Sequence, residues 1–431
     1  MSHGSVFVTL SKGLYSPGSQ VDGTISLNLL QTVPGASQVL LNIRGLEETK
    51  LVERYQTTEY YTDANGNRQS RTKTHYRTHT GSNPFFNHTF VVYQFNTAYM
   101  PAGQYSFPVS FILQSGLPST FNQEFTMHGY YCYARVNYTM TVTVPSSGMF
   151  RSLSRVQHFV VNQQLVMGNS TIRQDLAKQI TSCCCLDQGT THITTYFEKS
   201  EYVPGEKAYM VTEIDNSKCK SRINSISGNL TQVLNVVAGS YSHSITTRLH
   251  SDKLLGIGPG DCLLAEHAQR LAVPINGPNS VVLQPTCRGK LVNNEYLLIC
   301  MLSMDACTCC EKDPSCALVV NIRNPEPVDI PNEMPSDWRP TQMEKFNATF
   351  DKDKQEALPN YPEAPAEGMM GQPPVYNPSM PGMPNEAPSI DYSANGREPA
   401  KPPIAPYHPP TMPGSAPFPG NGPSGANYPT Q

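Results

Sequence analysis

The sequence predicts an all-β fold in which two tandem β-sandwiches precede a disordered, proline-rich tail. Short segments of alternating apolar and polar residues, separated by turn signals, run through the first 324 residues, and this pattern is typical of half-buried antiparallel strands. The tail is predicted from proline, because 25 of the 38 prolines in the 431-residue chain lie after residue 324. Such a segment buries too little apolar surface to offset the entropy lost on ordering.

The first half of the chain contains the clearest strands. Residues 21–29, 39–43 and 136–144 place apolar side chains on one face and polar side chains on the other. Pro-Gly at residues 17–18 and Asn-Gly at residues 65–66 are turn signals between such segments. Many short strands joined by such turns indicate an antiparallel sandwich.

The second half shows the same pattern. Its strand candidates lie within residues 191–198, 207–214, 223–236, 243–250, 291–303 and 317–322. One short helix is expected within residues 171–180, where Asp175 and Lys178 form a polar face. The only tryptophan, Trp338, is expected to pack back on the second sandwich as the chain leaves it.

A weak internal repeat relates the two halves and indicates two sandwiches of related design. Three landmarks occur in the same order in both halves. Tyr-Ser-Pro-Gly at residues 15–18 corresponds to Tyr-Val-Pro-Gly at 202–205, Phe-Pro-Val at 107–109 corresponds to Val-Pro-Ile at 273–275, and Cys132 corresponds to Cys287. We therefore expect a first sandwich over residues 1–164, a linker with a cysteine triplet over 165–186, a second sandwich over 187–324 and the tail over 325–431.

Charge and hydropathy exclude several classes of protein. The net charge of −3 and the 15% content of charged residues argue against a nucleic-acid binder that depends on overall basicity. The chain opens without the features of a secretory signal, and no apolar run approaches the roughly 18 residues of a membrane helix. We expect a soluble, intracellular protein whose 12 cysteines are mostly reduced.

The order of several short motifs over about 300 residues resembles the arrestin superfamily, and the alpha-arrestins (arrestin-domain-containing proteins) in particular. The resemblance implies two immunoglobulin-like β-sandwiches, the arrestin N- and C-domains, in an adaptor that carries no enzymatic activity. The motifs are the turn and strand at 15–23, Ile-Arg-Gly at 43–45, residues 103–109, the cysteine triplet Cys183, Cys184 and Cys185, residues 202–206, and Ile-Asp-Asn-Ser at 214–217.

The tail contains a PPxY motif formed by Pro373, Pro374 and Tyr376. A proline pair favours the polyproline II conformation, which fits between aromatic side chains of a WW domain, and the tyrosine fills a second pocket. A proline-rich tail also produces such tetrapeptides by chance. Alpha-arrestins use these motifs to recruit WW-domain HECT-type ubiquitin ligases, so the resemblance favours a ligase-binding site. The sequence ending at Tyr407 lacks this spacing.

Cysteines cluster at two places. Cys183, Cys184 and Cys185 are consecutive and are candidates for reversible palmitoylation. Cys307 and Cys310 have the C-x2-C spacing of a zinc site. Reduced thiols in strands and loops, without lipid or metal, are the favoured interpretation of both clusters, and we expect no cofactor.

A basic segment lies in the first half. No Asp or Glu occurs between residues 64 and 123, and Arg68, Arg71, Lys73 and Arg77 alternate with other residues. These side chains are candidates for contact with anionic lipid or with phosphorylated cargo tails. The alternative is a solvated hairpin with its turn at residues 65–66, in which basic side chains protect an edge strand.

The resemblance to alpha-arrestins, together with the PPxY motif, implies an adaptor on the cytoplasmic side of the plasma membrane and endosomes. It would link a transmembrane receptor or transporter cargo to a WW-domain HECT-type ubiquitin ligase, so that the cargo is ubiquitinated, endocytosed and sorted. Two alternatives are an endosomal, retromer-like scaffold that works without a ligase, and a redox- or zinc-regulated binding protein of the thioredoxin-interacting type. No hydrolase, metalloprotease or phosphate-loop motif is present.

Overall fold

The computed structural model describes residues 3–147, 151–164, 173–182, 186–278, 281–305, 313–326 and 337–350. The described residues all belong to one compact unit. The strands of the first half are β1 (Gly4–Leu10), β2 (Leu14–Tyr15), β3 (Gln20–Leu29), β4 (Val33–Pro34), β5 (Gln38–Thr62), β6 (Arg68–Gln94), β7 (Tyr99–Met100), β8 (Gly103–Ile112), β9 (Phe121–Met127), β10 (Tyr130–Val144) and β11 (Leu153–Val161).

The described residues of the second half form strands and a 3-10 turn (Ala265–His267). Its strands are β12 (Arg173–Ser182), β13 (Leu186–Phe197), β14 (Glu201–Tyr202), β15 (Lys207–Cys219), β16 (Ile223–Ala238), β17 (Tyr241–Leu255), β18 (Cys262–Leu263), β19 (Gln269–Pro274), β20 (Cys287–Arg288), β21 (Val292–Met304) and β22 (Ser315–Ile322). Two further short strands, β23 (Thr341–Gln342) and β24 (Phe346–Ala348), follow the second sandwich.

The two sandwiches share one topology, which confirms the all-β prediction. In the first, β1, β3 and β8 pair in that order and face a sheet ordered β2-β11-β10-β5-β6. In the second, β13, β15 and β19 pair in the same way and face a sheet ordered β14-β22-β21-β16-β17. The sequence repeat follows from this topology, because both Tyr-x-Pro-Gly turns lead from a short parallel strand into the central strand of the smaller sheet.

Each sandwich is held by an apolar core between its two sheets. Ile25 and Phe107 of one sheet pack with Leu41 and Val136 of the other in the first sandwich. Met210 and Leu298 belong to the corresponding cluster of the second. Since successive side chains of a strand point to opposite faces, the alternation seen in the sequence is the alternation between core and solvent.

A buried tyrosine ties the larger sheet of each sandwich to the loop before it. The Tyr138 hydroxyl donates a hydrogen bond of 2.7 Å to the carbonyl of Pro118. The Tyr296 hydroxyl donates one of the same length to the carbonyl of Gln284. The two tyrosines occupy β10 and β21, which are equivalent strands, so the repeat extends to a buried polar contact.

The expected helix within residues 171–180 is wrong. Residues Arg173–Ser182 form β12, which pairs antiparallel with β13 and lies at the edge of the smaller sheet of the second sandwich. Asp175 accepts a hydrogen bond from the Thr194 hydroxyl on β13. Pairing with a neighbouring strand therefore overrides the weak helical pattern, and this part of the expected linker belongs to the second sandwich.

The expected packing of Trp338 on the second sandwich is also wrong. The expectation that the disordered tail starts at residue 325 is wrong for the residues that follow Trp338, because they form strands of the first sandwich. Trp338 is only 8% exposed and meets the outward-facing Phe7 of β1 edge to face, at 5.2 Å between ring centroids. Strands β23 and β24 then pair in parallel with β8. We call residues 337–350 the closing segment, because they complete the first sandwich.

The closing segment ends at the open side of the first sandwich, between β8 and β6. Phe350 contacts Phe86 and Phe90 of β6 and Phe111 of β8, at 5.8–6.1 Å between ring centroids. Lys345 lies 2.9 Å from the carboxylate of Asp22. Aromatic packing at the edge of the core, rather than the exposed ion pair, provides most of the attachment.

Candidate partner-binding surfaces

The structure describes one of the four sets of site residues predicted from the sequence. The four basic residues lie on the β5–β6 hairpin. The other three sets fall outside the described residues: Pro373, Pro374 and Tyr376; Cys183, Cys184 and Cys185; and Cys307 and Cys310. Their roles therefore stay predictions.

The β5–β6 hairpin is the most extended element of the first sandwich. Strand β10 pairs with β5 from Leu40 to Lys50, whereas β5 and β6 remain paired out to Thr62 and Arg68. The turn is built around Asp63, whose carboxylate accepts hydrogen bonds from the backbone N–H groups of Asn65 and Asn67. The predicted hairpin with a turn at residues 65–66 is thus confirmed, and Gly66 adopts a φ of +81° there.

The register divides the basic residues between the two faces of this hairpin. Arg71, Lys73 and Arg77 stand opposite Glu59, Thr57 and Glu53. Arg68 stands opposite Thr62. The pairing has no irregularity over this part of the hairpin, so odd-numbered and even-numbered residues of β6 point to opposite faces. Arg68 consequently lies on the opposite face from the other three, so the four basic side chains do not form one patch.

Contacts within the hairpin hold several of these cations in place. Lys73 forms an ion pair of 2.6 Å with Glu59, and this hydrogen-bonded contact lowers the pKa of the Glu59 carboxyl. The Arg77 guanidinium lies over the Tyr55 ring at 5.1 Å, and that of Arg68 lies over the Tyr60 ring at 4.7 Å. The positive charges stay on the surface, because Arg68, Arg71 and Arg77 are all exposed.

The base of the hairpin contacts the second sandwich. His79 of β6 stacks on Tyr241 of β17, with ring centroids 5.0 Å apart. Its Nε2 atom lies 2.9 Å from a carboxylate oxygen of Glu53. The Thr49 hydroxyl donates a hydrogen bond of 2.6 Å to the carbonyl of Val237. Thr49 and His79 lie on the same face of the hairpin as Arg71, Lys73 and Arg77. The base of this face therefore contacts the second sandwich.

A buried carboxylate lies at this junction, and sequence reasoning did not identify it. Glu47 is 0% exposed, and its Oε2 atom accepts hydrogen bonds from the Asn83 side chain and from the backbone N–H groups of Lys290 and Leu291. Burial raises the pKa of the Glu47 carboxyl, against the opposing effect of these donors. No sequence signal distinguishes Glu47 from the neighbouring Glu48.

Neutral hydrogen bonds join the sandwiches elsewhere along the junction. Side-chain amides supply most of them, and apolar residues of β16, including Leu234 and Val236, extend the core of the first sandwich across the boundary. The pairs are Asn122 with Gln284, Gln123 with Gln232, Asn162 with Asn324, and Gln163 with Arg288.

The described cysteines are mostly buried. Cys132, Cys219, Cys287, Cys300 and Cys316 lie in the interior, whereas Cys262 is exposed. Burial raises the pKa of the Cys316 thiol to about 12 and also raises the pKa values of the Cys287 and Cys300 thiols. Thiols in this state are poor nucleophiles and poor metal ligands. Within the described ranges, no three His, Cys, Asp or Glu side chains form a group that could hold a metal ion.

Among the residues that the structure describes, no helix has the length and apolar character that crossing a bilayer requires.

Comparison with known proteins agrees with this architecture. The family model for the arrestin (or S-antigen) N-terminal domain matches residues 5–166, and that for the C-terminal domain matches residues 187–327. Arrestin domain-containing protein A of Dictyostelium discoideum is 26% identical over 299 residues, which cover 68% of this chain and 47% of the relative. The chain thus spans about half the length of the curated relative that it matches. Two successive arrestin domains with one shared topology place this chain in the arrestin-domain family.

Proposed function

We propose that this protein is an adaptor of the alpha-arrestin type, which links a membrane-protein cargo to a WW-domain HECT-type ubiquitin ligase. The observation that carries the proposal is the combination of two arrestin domains, at residues 5–166 and 187–327, with a PPxY motif in the same chain. Holding ligase and cargo on one chain raises their effective concentration, so cargo lysines are ubiquitinated and the cargo is endocytosed.

The ligase-binding part is assigned to Pro373, Pro374 and Tyr376. The proline pair presents a polyproline II surface at low entropy cost, and Tyr376 fills the second pocket of a WW domain. The chain carries this motif once, so its affinity for a single WW domain is not increased by a second site in the same chain.

The cargo-binding part is assigned to the arrestin domains and, within them, to the basic face of the hairpin. Arg71, Lys73 and Arg77 share a face whose base lies against the second sandwich. Guanidinium and ammonium groups in this arrangement suit anionic groups on a cytoplasmic cargo tail. Palmitoylation of Cys183, Cys184 and Cys185 would add a membrane anchor, and the cycle of cargo delivery would take place at the plasma membrane and endosomes.

Pulldown with isolated WW domains tests the ligase assignment. The Tyr376→Ala variant loses an aromatic side chain that fills a pocket, so we expect it to lose binding to WW domains of HECT ligases. Tyr407→Ala is the matched control, because Tyr407 also follows a proline-rich sequence but lacks the PPxY spacing, and it is expected to bind like the wild type.

Undiminished WW binding by Tyr376→Ala would contradict the ligase assignment. Proximity labelling in cells, compared between the wild type and Tyr376→Ala, separates the alternatives. Loss of ligase labelling with retained cargo labelling supports the adaptor. Cargo sorting that is the same in the wild type and in Tyr376→Ala would instead support a ligase-independent endosomal scaffold. Stoichiometric zinc in the purified full chain would support a metal-regulated protein, with Cys307 and Cys310 as ligands.

A further inference from the structure

The distal end of the β5–β6 hairpin has properties that the adaptor function does not explain. Beyond Lys50, where pairing with β10 ends, twelve residues of β5 continue as a two-stranded ribbon with β6. At about 3.4 Å per residue this part extends about 40 Å along its axis. Leu51 and Val52 at its base are buried, whereas the residues from Glu53 to Thr62 are exposed or half-buried. An isolated two-stranded ribbon is only marginally stable in water, so the length of this outer part indicates a role for its end.

Two exposed tyrosines at the end of β5 lie just before the turn. Tyr60 is 65% exposed and Tyr61 is 51% exposed. Because they are consecutive residues of one strand, their rings lie on opposite faces of the ribbon. A partner protein that binds the ribbon on one face would cover only one of them. An environment that surrounds the end from both sides covers both, and a lipid headgroup layer is such an environment.

The charges at this end favour an anionic environment. Arg68, on which Tyr60 stacks, and Arg71 are exposed cations next to the turn. The carboxylate of Asp63 is occupied by backbone N–H groups of the turn and by the amide of Gln69 at 3.3 Å. Glu59 is occupied by Lys73. These hydrogen bonds leave Asp63 ionised, whereas Lys73 balances Glu59, so the segment from Glu59 to Lys73 carries a net charge of +1 with both arginines exposed.

We propose that the end of the β5–β6 hairpin inserts into the headgroup layer of an anionic membrane, with Tyr60 and Tyr61 at the level of the headgroups and Arg68 and Arg71 bound to lipid phosphates or carboxylates. Tyrosine is enriched at membrane–water interfaces because its ring is apolar and its hydroxyl is polar. Cations near an anionic leaflet add binding energy that decreases with ionic strength. This proposal deepens the proposed function, since it brings the adaptor to the surface in which its cargo lies.

Vesicle co-sedimentation of the full-length chain tests this proposal. We expect binding to phosphatidylcholine vesicles that contain phosphatidylserine, weaker binding to pure phosphatidylcholine, and a decrease as salt is added. The Arg68→Gln/Arg71→Gln double variant should bind anionic vesicles about thirtyfold less tightly, from the summed contributions of the two surface cations. The Tyr60→Ser/Tyr61→Ser double variant should weaken binding to both vesicle types. All four side chains are exposed, so thermal unfolding should be unchanged.

Two exposed positions of the second sandwich provide matched controls. Leu255 is 87% exposed and Arg248 is exposed on β17; Leu255→Ser and Arg248→Gln should bind vesicles like the wild type. The proposal is overturned if the wild type does not bind anionic vesicles, if the hairpin variants bind like the controls, or if those variants lose an acidic peptide but keep vesicles. WW-domain binding through Tyr376 is measured separately, so failure of one assignment does not affect the other.

Discussion

Replacing Glu47 tests how the two sandwiches are held together. The side chain is fully buried, and its Oε2 atom accepts three hydrogen bonds, from Asn83 at 2.9 Å and from the N–H groups of Lys290 and Leu291 at 3.2 Å. Two of the three donors belong to the second sandwich. Gly289 permits the approach, because a Cβ atom on this residue would lie 1.7 Å from Glu47 Oε1.

The magnitude follows from counting donors. Glu47→Ala leaves three buried N–H donors without an acceptor, and each such group costs about 1–3 kcal/mol. Part of this cost is offset, because removing the carboxylate also removes the free energy spent on burying its charge. We therefore expect Glu47→Ala to lower the free energy of unfolding by about 3 kcal/mol, near the lower end of that sum. Glu47→Gln keeps an acceptor oxygen in place and is the matched control.

The pH dependence of the free energy of unfolding separates the effect of the Glu47 charge from the effect of its hydrogen bonds. Burial raises the pKa of Glu47 above its ordinary value of 4.5. A raised carboxyl pKa means that the folded protein favours the protonated form. The resulting stabilisation is fully present below pH 4.5 and is lost as the pH rises through the raised pKa. Glu47→Gln has no proton to lose, so its free energy of unfolding should increase relative to the wild type as the pH rises from 4.5 towards neutrality.

Urea unfolding of the full chain, followed by fluorescence between pH 4 and 8, measures these differences. Gly289→Ala should destabilise in the same direction as Glu47→Ala, because the added methyl group forces the carboxylate away. The reasoning is refuted if Glu47→Ala is as stable as the wild type, or if the wild type and Glu47→Gln keep a constant difference over the whole pH range.

Three further substitutions test the attachment of the closing segment and the packing of each sandwich. Trp338→Ala removes a nearly buried ring from the outer face of β1 and should lower the free energy of unfolding of the chain by about 3 kcal/mol. Thermal unfolding measures this loss, with Trp338→Phe as the control. If both variants are as stable as the wild type, the closing segment does not contribute to stability. Tyr138→Phe and Tyr296→Phe each remove one buried hydroxyl that donates to a carbonyl, so each should cost about 1 kcal/mol in denaturant unfolding. Their effects should add, because the two sites lie in different cores, and a double variant no worse than either single one would contradict this.

The elements that could be predicted from the sequence are those whose signal is local. Alternation with a period of two identifies strands such as β10, and Asn65-Gly66 identifies the hairpin turn, because both depend on neighbouring residues alone. The order of the three repeated landmarks predicts two related sandwiches, since equivalent strands need equivalent turns. The family is indicated separately, by the resemblance of several motifs along about 300 residues to arrestin domains, and the two family models confirm it.

The features that were missed depend on distant partners. Residues Arg173–Ser182 form a strand because β13 lies beside them, which no local pattern shows. Trp338 packs on Phe7, and nothing in a segment rich in proline indicates which sandwich it meets. Glu47 is buried only because the loop of Lys290 and Leu291 covers it. The division of Arg68 from Arg71, Lys73 and Arg77 could have been predicted from the parity of their numbers once a hairpin was assumed.

The closing segment has a consequence for the order in which the chain folds. The first sandwich takes its edge strands β23 and β24 from residues that are synthesised after the entire second sandwich. During synthesis, the edge of β8 and the aromatic side chains near Phe111 therefore stay uncovered until residue 350 has emerged. Contacts across more than 200 residues form slowly, and an uncovered strand edge favours aggregation. A recombinant fragment that ends at residue 164 would carry the same uncovered edge, whereas a chain that extends through Phe350 would not.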